Sequence, residues 1–380
     1  MPKPGNRFKK IIRLVHLYLG LVSGLVVVVV ALTGCLYVFE DECRDIFQHK
    51  YYYVTPSGTK KSISELQRVV QKAYPSEKVT TIRFKEKENA AYLFGTKSRK
   101  AISVNPYTAA IIGERNMEKD FFGIVLKIHR TLWLGDAGKE IIKWNVLIFF
   151  ILCISGLVLW WPKQKRFFRQ AVSFRFKRGN WKRVNRDLHT VFGFYALLVL
   201  VLISLTGMFW MFDSVKDGVR FVTHQKKSKK EEKIKSRPAA GAVFATDEAY
   251  LYMVTHYTGA VETSISVPAD SLAPIRVQAR YPYTVVRKQV NLFFDQYNGQ
   301  VLKKEHFDDY SAYDKVARAN YSLHTGNMPS LGIGSKIIYF LASLIAATLP
   351  VTGFLIWIGK KRKQPFNKNI MQRTPQLIPA

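Results

Sequence analysis

Four of the eight histidines stand where they could do chemistry together. Arg13, His16 and Gly20 fall in the pattern R-x-x-H-x-x-x-G at the start of a long apolar run, and the pattern returns at Arg186, His189 and Gly193. Thr33-Gly34 closes the first run and Thr206-Gly207 the second, so five positions share one spacing of 173 residues. Such agreement predicts an internal duplication. Residues three or four apart share a helix face, so the arginine, histidine and glycine line one stripe. There an imidazole can ligate a metal, a guanidinium can pair an anion, and a glycine leaves room for something flat and bulky.

A second pair follows the same logic. Leu134-Gly135 is answered by Leu331-Gly332, Ser155-Gly156 by Thr352-Gly353 and Trp160 by Trp357, all 197 residues apart. His129 and His324 are 195 apart, which a two-residue insertion accounts for. A macrocycle held between two imidazoles needs one histidine from each of two facing helices. The spacing therefore predicts two non-covalent haem b groups, with His16/His189 and His129/His324 as axial ligands. Arg13 and Arg186 fit the haem propionates. Two axial imidazoles leave iron no open position, which suits electron transfer. The absence of C-x-x-C-H argues against covalent c-type haem.

Blander readings attach to each residue. A histidine at a membrane interface can serve as an amphipathic anchor. Arg13 and Arg186 fit the positive-inside bias equally well. Gly20 and Gly193 suit close helix packing. Met328 is an alternative axial ligand to His324. His49, His224, His256 and His306 lack matched partners and read as surface residues. Trp133, Trp144 and Trp210 read as interfacial packing.

The elements that must position these groups are membrane helices. Residues 14–39 carry no charge before Glu40, and 26 residues at ~1.5 Å each reach about 39 Å, enough for the ~30 Å hydrocarbon core. The run is too long for a signal-peptide core and no A-x-A site follows. Further membrane helices are predicted at 141–161, 188–212 and 336–358, the second ending in Trp160-Trp161-Pro162. An amphipathic helix over Phe121–Leu134 carries His129, with Gly135-Asp-Ala-Gly138 as its breaker.

The 380 residues are 48% hydrophobic and carry a formal charge of +31. Nucleic-acid binding is the first thought for such a charge. The basic clusters, however, lie beside apolar runs, as the positive-inside bias produces. The loop 163–187 and the tail 359–380 are basic, so both termini are expected in the cytoplasm. Residues 40–127 and 213–322 are polar extracytoplasmic modules. The first has a helix capped by Ser62 and strands near 79–84, 90–94, 101–104 and 109–112. The second has a helix over 246–256, strands at 260–267, 274–280 and 287–294, and a solvated charge run at 226–237. Asn105-Pro-Tyr-Thr and Asp295-Gln-Tyr-Asn-Gly299 are matching turns. Residues 128–162 and 323–358 pair a histidine-bearing segment with a membrane helix. The fold class is membrane α plus extracytoplasmic α+β. Parallel repeats of this kind place a shared site at their interface. Cys35, Cys43 and Cys153 make no metal or disulfide framework.

These residues resemble the PepSY-associated transmembrane family of bacterial inner-membrane proteins, many linked to iron uptake. The resemblance covers nearly the whole chain. It rests on R-x-x-H-x-x-x-G with its Thr-Gly, the His-Thr segment before the last helix, Ser/Thr-Gly-x-x-x-Trp and the two turns. It implies that the soluble parts are PepSY-like periplasmic modules. It also implies a likeness to ferrioxamine-type ferric siderophore reductases, with His16, His129, His189 and His324 as haem ligands. Asn105 and Ala109 stand where the family favours Asp and Gly. The expected activity is reduction of a ferric siderophore or other ferric chelate. No G-x-G-x-x-G, P-loop or H-E-x-x-H occurs, so the electron donor is a flavin, a quinol or a separate protein. The rival readings are a non-haem periplasmic binding or regulatory protein, colourless when purified, and an iron-chelate transporter.

Overall fold

A computed structural model describes residues 4–174, 180–226, 234–238 and 244–361. Most of the 226–237 charge run, part of the 163–187 loop and nearly all of the basic tail lie outside these residues. Among the described residues, four helices are long and apolar enough to cross a membrane: Arg7–Tyr37, Gly135–Trp160, Trp181–Met211 and Ile333–Gly359. Their faces are rich in exposed Leu, Ile, Val and Phe, such as Val22, Leu25 and Leu198, which suit hydrocarbon rather than water. The protein is thus a multi-pass membrane protein.

The chain divides into two compact units. The first comprises the described parts of Met1–Leu32, Trp144–Val201 and Leu341–Ala380. Its helices pack through small residues: Ala31, Cys153, Ala196, Ala342 and Ala346 lie together with Leu200. Without a hydrophobic drive between helices in lipid, close backbone approach through small side chains is what holds them. Gly24 similarly leaves room for the ring of Pro350.

The second unit comprises Thr33–Lys143 and Leu202–Phe340. It holds one eight-stranded antiparallel sheet in the order β4-β3-β2-β1-β5-β6-β7-β8. The strands are β1 Val79–Lys85, β2 Tyr92–Thr96, β3 Lys100–Val104, β4 Ile111–Asn116, β5 Glu262–Ser266, β6 Ile275–Tyr281, β7 Lys288–Phe294 and β8 Val301–Glu305. The two stretches expected as separate modules thus share a single sheet. β1 joins β5 from Thr81↔Ser266 to Lys85↔Glu262, so neither half leaves its inner edge unpaired. Helices Ile63–Ala73 and Thr246–His256 supply Leu66, Val70, Ala249 and Met253 to the core formed with Ile82, Phe94, Ile102, Val277 and Leu292. Ser62 caps the first helix, accepting from Glu65 N, and Asp247 of the second helix accepts from the backbone of Ile63 and Ser64.

Three expectations need correction. The break after the His129 helix falls at Leu132–Leu134, where Leu132 and Trp133 turn left-handed, and Gly135 opens the next helix. The predicted breaker is therefore helical, because Asp136 can sit in the first turn of a helix that starts before the apolar run. The third membrane helix begins at Trp181 and contains a π turn at Leu188–Phe192. It thereby takes in Asp187, just outside the expected 188–212 span, buried and near Arg183 and Arg186 at 3.9 and 3.7 Å. His324 belongs to a helix of its own, Ala312–Thr325, which ends at left-handed Gly326.

Candidate functional site

Each unit brings one histidine pair together. In the first unit the His16 and His189 ring centres are 6.4 Å apart. In the second unit the His129 and His324 centres are 6.3 Å apart. The first pair opens on a cavity of about 1280 Å³, lined among others by Arg13, Gly20, Arg186 and Gly193. That exceeds the ~300–1,000 Å³ of ordinary small-molecule pockets. All six residues singled out by the R-x-x-H-x-x-x-G repeat thus face one space.

The ring nitrogens are already allocated. His16 Nδ1 lies 2.8 Å from Ser155 Oγ, and His129 Nδ1 lies 3.1 Å from Thr33 Oγ1. His189 Nδ1 lies 3.0 Å from Thr352 Oγ1, and His324 Nδ1 lies 3.0 Å from Thr206 Oγ1. The hydroxyl hydrogens of Ser155, Thr206 and Thr352 are spent along their own helices. Ser155 donates to Ile151 O at 2.7 Å, Thr206 to Leu202 O at 2.8 Å and Thr352 to Thr348 O at 2.9 Å. A hydroxyl with its hydrogen so used can only accept from Nδ1–H. His189 and His324 also donate to the carbonyls of Leu349 and Ile203, each at 3.1 Å. For His16, His189 and His324, Nδ1 therefore carries the proton, which leaves the Nε2 lone pair as the one that can bind a metal.

The glycine after three of these hydroxyls matters as well. A Cβ on Gly156 would meet His16 Cε1 at 3.4 Å, one on Gly34 would meet His129 Cε1 at 3.5 Å, and one on Gly353 would meet His189 Cε1 at 3.1 Å. The Ser/Thr-Gly motif, visible in the sequence as a repeat, is thus a seat for an imidazole. Sequence reasoning found the motif but not this role.

It also missed two asparagines. Asn185 and Asn320 each stand four residues before a histidine. Asn185 Nδ2 donates to Thr352 O at 3.0 Å, and Asn320 Nδ2 donates to Thr206 O at 3.2 Å. Each buried amide thus ties the histidine helix to the residue that holds the histidine. His16 and His129 have Ile12 and Val125 at that position. Trp210, expected as interfacial packing, has its ring centre 4.8 Å from that of His324.

The second unit fixes the His129 helix, Phe121–Thr131, by charge. Asp120 caps it, accepting from Gly123 N at 2.7 Å, and receives Arg44 Nη1 at 2.6 Å. Arg44 is buried and also binds Glu40 at 2.8 Å. Burial, with His129 beside it, pulls the His324 imidazole down to about 3, so it stays neutral, the form that binds metal. Met328 is buried near its own turn. His49, His224 and His256 are exposed, and His306 is half-buried.

An iron midway between two imidazoles gives a distance that can be compared. Metal–nitrogen bonds of ~2.0 Å, plus about 1.1 Å from each ring nitrogen to its centre, put the ring centres about 6.2 Å apart. Both pairs have close to that spacing, each Nδ1 hydrogen-bonded to a hydroxyl of the protein, and a glycine beside a ring. The residues therefore fit a bis-histidine haem. Among the described residues no cluster of three or more His, Cys, Asp and Glu suits a bare metal ion.

The family description that matches this sequence is the PepSY-associated TM region, over residues 13–360. No curated protein matches the chain.

Proposed function

The chain belongs to the PepSY-associated TM region family, and from that membership and the two histidine pairs we propose that it is a dihaem b-type electron-transfer protein. It reduces ferric siderophores or other ferric chelates at the periplasmic face of the bacterial inner membrane. The observation that carries the reading is the spacing of 6.4 and 6.3 Å between paired imidazoles with Nδ1 hydrogen-bonded to protein. The matched motifs support an origin in two repeats. So does the mirrored strand order on either side of β1 and β5, each half a PepSY-like module.

His16 and His189 would hold the cytoplasmic-side haem, and His129 and His324 the periplasmic-side one. Bound haem supplies reversible one-electron transfer between ferric and ferrous iron. The protein's part is to fix the ligands and tune them. The four hydroxyls orient the imidazoles, and the carbonyls of Leu349 and Ile203 add electron density through Nδ1–H. Arg13 and Arg186 offer cations to propionates, and the small residues keep the space open. A flavin, a quinol or a separate protein gives up each electron, and the ferric chelate accepts one. Ferrous iron is held less tightly by hard oxygen donors and so is released.

The test is an absorption spectrum of detergent-purified protein from haem-replete cells, oxidised and then dithionite-reduced, with haem counted per chain. About two low-spin b-type haems are expected. A colourless protein would sink this reading and favour a binding or regulatory role.

A further inference from the structure

Four guanidinium groups gather in the second unit with too little acid to neutralise them. β6 alternates: Ile275, Val277 and Ala279 enter the core, so Arg276, Gln278 and Arg280 point to the opposite face of the sheet. The Ala312–Thr325 helix brings Arg318 close to Arg276, and the loop before β7 brings Arg287 close to Arg280. Arg276 donates to Asn291 Oδ1 at 2.9 Å and has Glu305 nearby. Glu305, however, already accepts from Lys303 at 3.0 Å and from Asn291 at 2.8 Å. Arg280 shares Glu262 with Arg83, at 3.3 and 3.6 Å. Arg287 and Arg318 have no carboxylate within ion-pair distance among the described residues. Arg287 instead lies 3.9 Å from the ring centre of Tyr321, and Arg318 4.9 Å from that of Tyr310.

Two further observations suit an anion as ligand. The Nε atoms of Arg276 and Arg287 are buried without a hydrogen-bond partner. Burial, helped by the neighbouring arginines, pulls Arg276 and Arg280 below the usual guanidinium value even against Glu305 and Glu262. Gathering like charges that are half-buried is costly unless an anion completes the site. Arginine is the side chain suited to planar, bidentate anions.

We propose that the seam formed by Arg276, Arg318, Arg280 and Arg287 is a carboxylate-binding site. From Arg276 to Arg280 it runs about 13 Å along β6, which suits a ligand carrying more than one carboxylate. Its Arg287 end sits on Tyr321, one turn before His324 on the same helix. Two sources present this chemistry there: the propionates of a haem held by His129 and His324, or a ferric polycarboxylate chelate brought for reduction. In naming these sources the proposal rests on the electron-transfer reading, whereas the anion site itself stands on the arginines.

The experiment uses the full chain in nanodiscs of zwitterionic lipid. Tricarballylate, a metal-free tricarboxylate, is titrated calorimetrically into wild type, Arg287→Gln and Arg318→Gln, and haem content and midpoint potentials are measured on the same samples. If the seam takes the chelate, tricarballylate binds wild type. Each variant then weakens binding about tenfold or more while the haem spectra stay unchanged. If it takes propionates, tricarballylate does not bind. Arg287→Gln then shifts the potential or occupancy of one haem and leaves the other as it was. Absence of tricarballylate binding together with unaltered haems in both variants overturns the proposal. A colourless wild-type protein that still binds tricarballylate through Arg287 keeps the site and refutes the electron-transfer reading; a colourless protein that binds none refutes both.

Discussion

Ser155 Oγ lies 2.8 Å from His16 Nδ1, and among the described residues no backbone carbonyl shares that nitrogen. His189 and His324, by contrast, have a carbonyl as well as a threonine hydroxyl. The imidazoles thus differ in how firmly they are held, and the difference can be measured. Removing an outer partner of a metal-bound histidine typically costs about 10–100-fold in affinity. Ser155→Ala should approach the upper end of that range for the His16/His189 haem. Thr352→Val and Thr206→Val, which keep shape and leave the carbonyl, should fall near the lower end. Haem retention during dilution and gel filtration reports the order. Equal loss in all three variants would contradict it.

His129→Ala removes one ligand of one pair only. The purified protein should carry one haem per chain, with the His16/His189 spectrum and potential unchanged. His16→Ala should give the complementary loss. Haem quantitation with a redox titration decides the matter. Two haems and full ferric-chelate reduction in His129→Ala would show that His129 and His324 are not partners.

The glycines after the hydroxyls should not be equally tolerant. A methyl at Gly353 would press on His189 Cε1 at 3.1 Å, whereas one at Gly34 would rest against His129 Cε1 at 3.5 Å, an ordinary contact. Gly353→Ala should tilt the His189 ring and broaden or shift the low-spin signal of that haem in an electron paramagnetic resonance spectrum. Gly34→Ala should leave the other signal close to wild type.

The membrane helices and the histidine pairs were legible because both depend on residue type at fixed spacing. The apolar runs mark the helices, and His16, His189, His129 and His324 recur at matched places. The supports were less legible. Asn185 and Asn320 look like ordinary polar residues until the fold brings Thr352 and Thr206 opposite them. The join between β1 and β5 links strands far apart in sequence, and no local pattern announces it. β8 escaped notice because Lys303, Lys304 and Glu305 make it a short, charged edge strand. The π turn at His189 likewise has no local signature.

The two matching turns carry a strain difference. Ala109 has φ 59° and Gly299 has φ 71°, both left-handed. For alanine that conformation costs roughly 1–2 kcal/mol, and for glycine almost nothing. Ala109→Gly relieves it but gives the unfolded chain more freedom, worth about 0.4–1 kcal/mol. The net effect should be a gain of up to about 1.6 kcal/mol and a higher Tm. Gly299→Ala should go the other way and further, because its Cβ would collide with the Phe244 ring as well. Thermal melts of the two variants in one detergent test both signs.

The same turns should respond differently to acid. Asp295 is buried, which on its own would raise its carboxyl, but backbone N–H groups of Arg237, Tyr297 and Asn298 outweigh burial and hold it below the ordinary value. The folded carboxyl thus binds its proton less readily than the unfolded one. Its contribution is complete above the unfolded value of ~3.9 and disappears as pH falls through the lower folded value. Asn105 accepts from Tyr107 N and Thr108 N in the equivalent turn without a charge to lose. Asp295→Asn should therefore lower Tm at pH 7 and narrow its gap to wild type as pH falls towards 3. Asn105→Asp should add a new acid-sensitive contribution over that range. Melting curves from pH 3 to 7 read this directly. A constant gap between wild type and Asp295→Asn at every pH would mean that the carboxylate's charge contributes nothing to the turn.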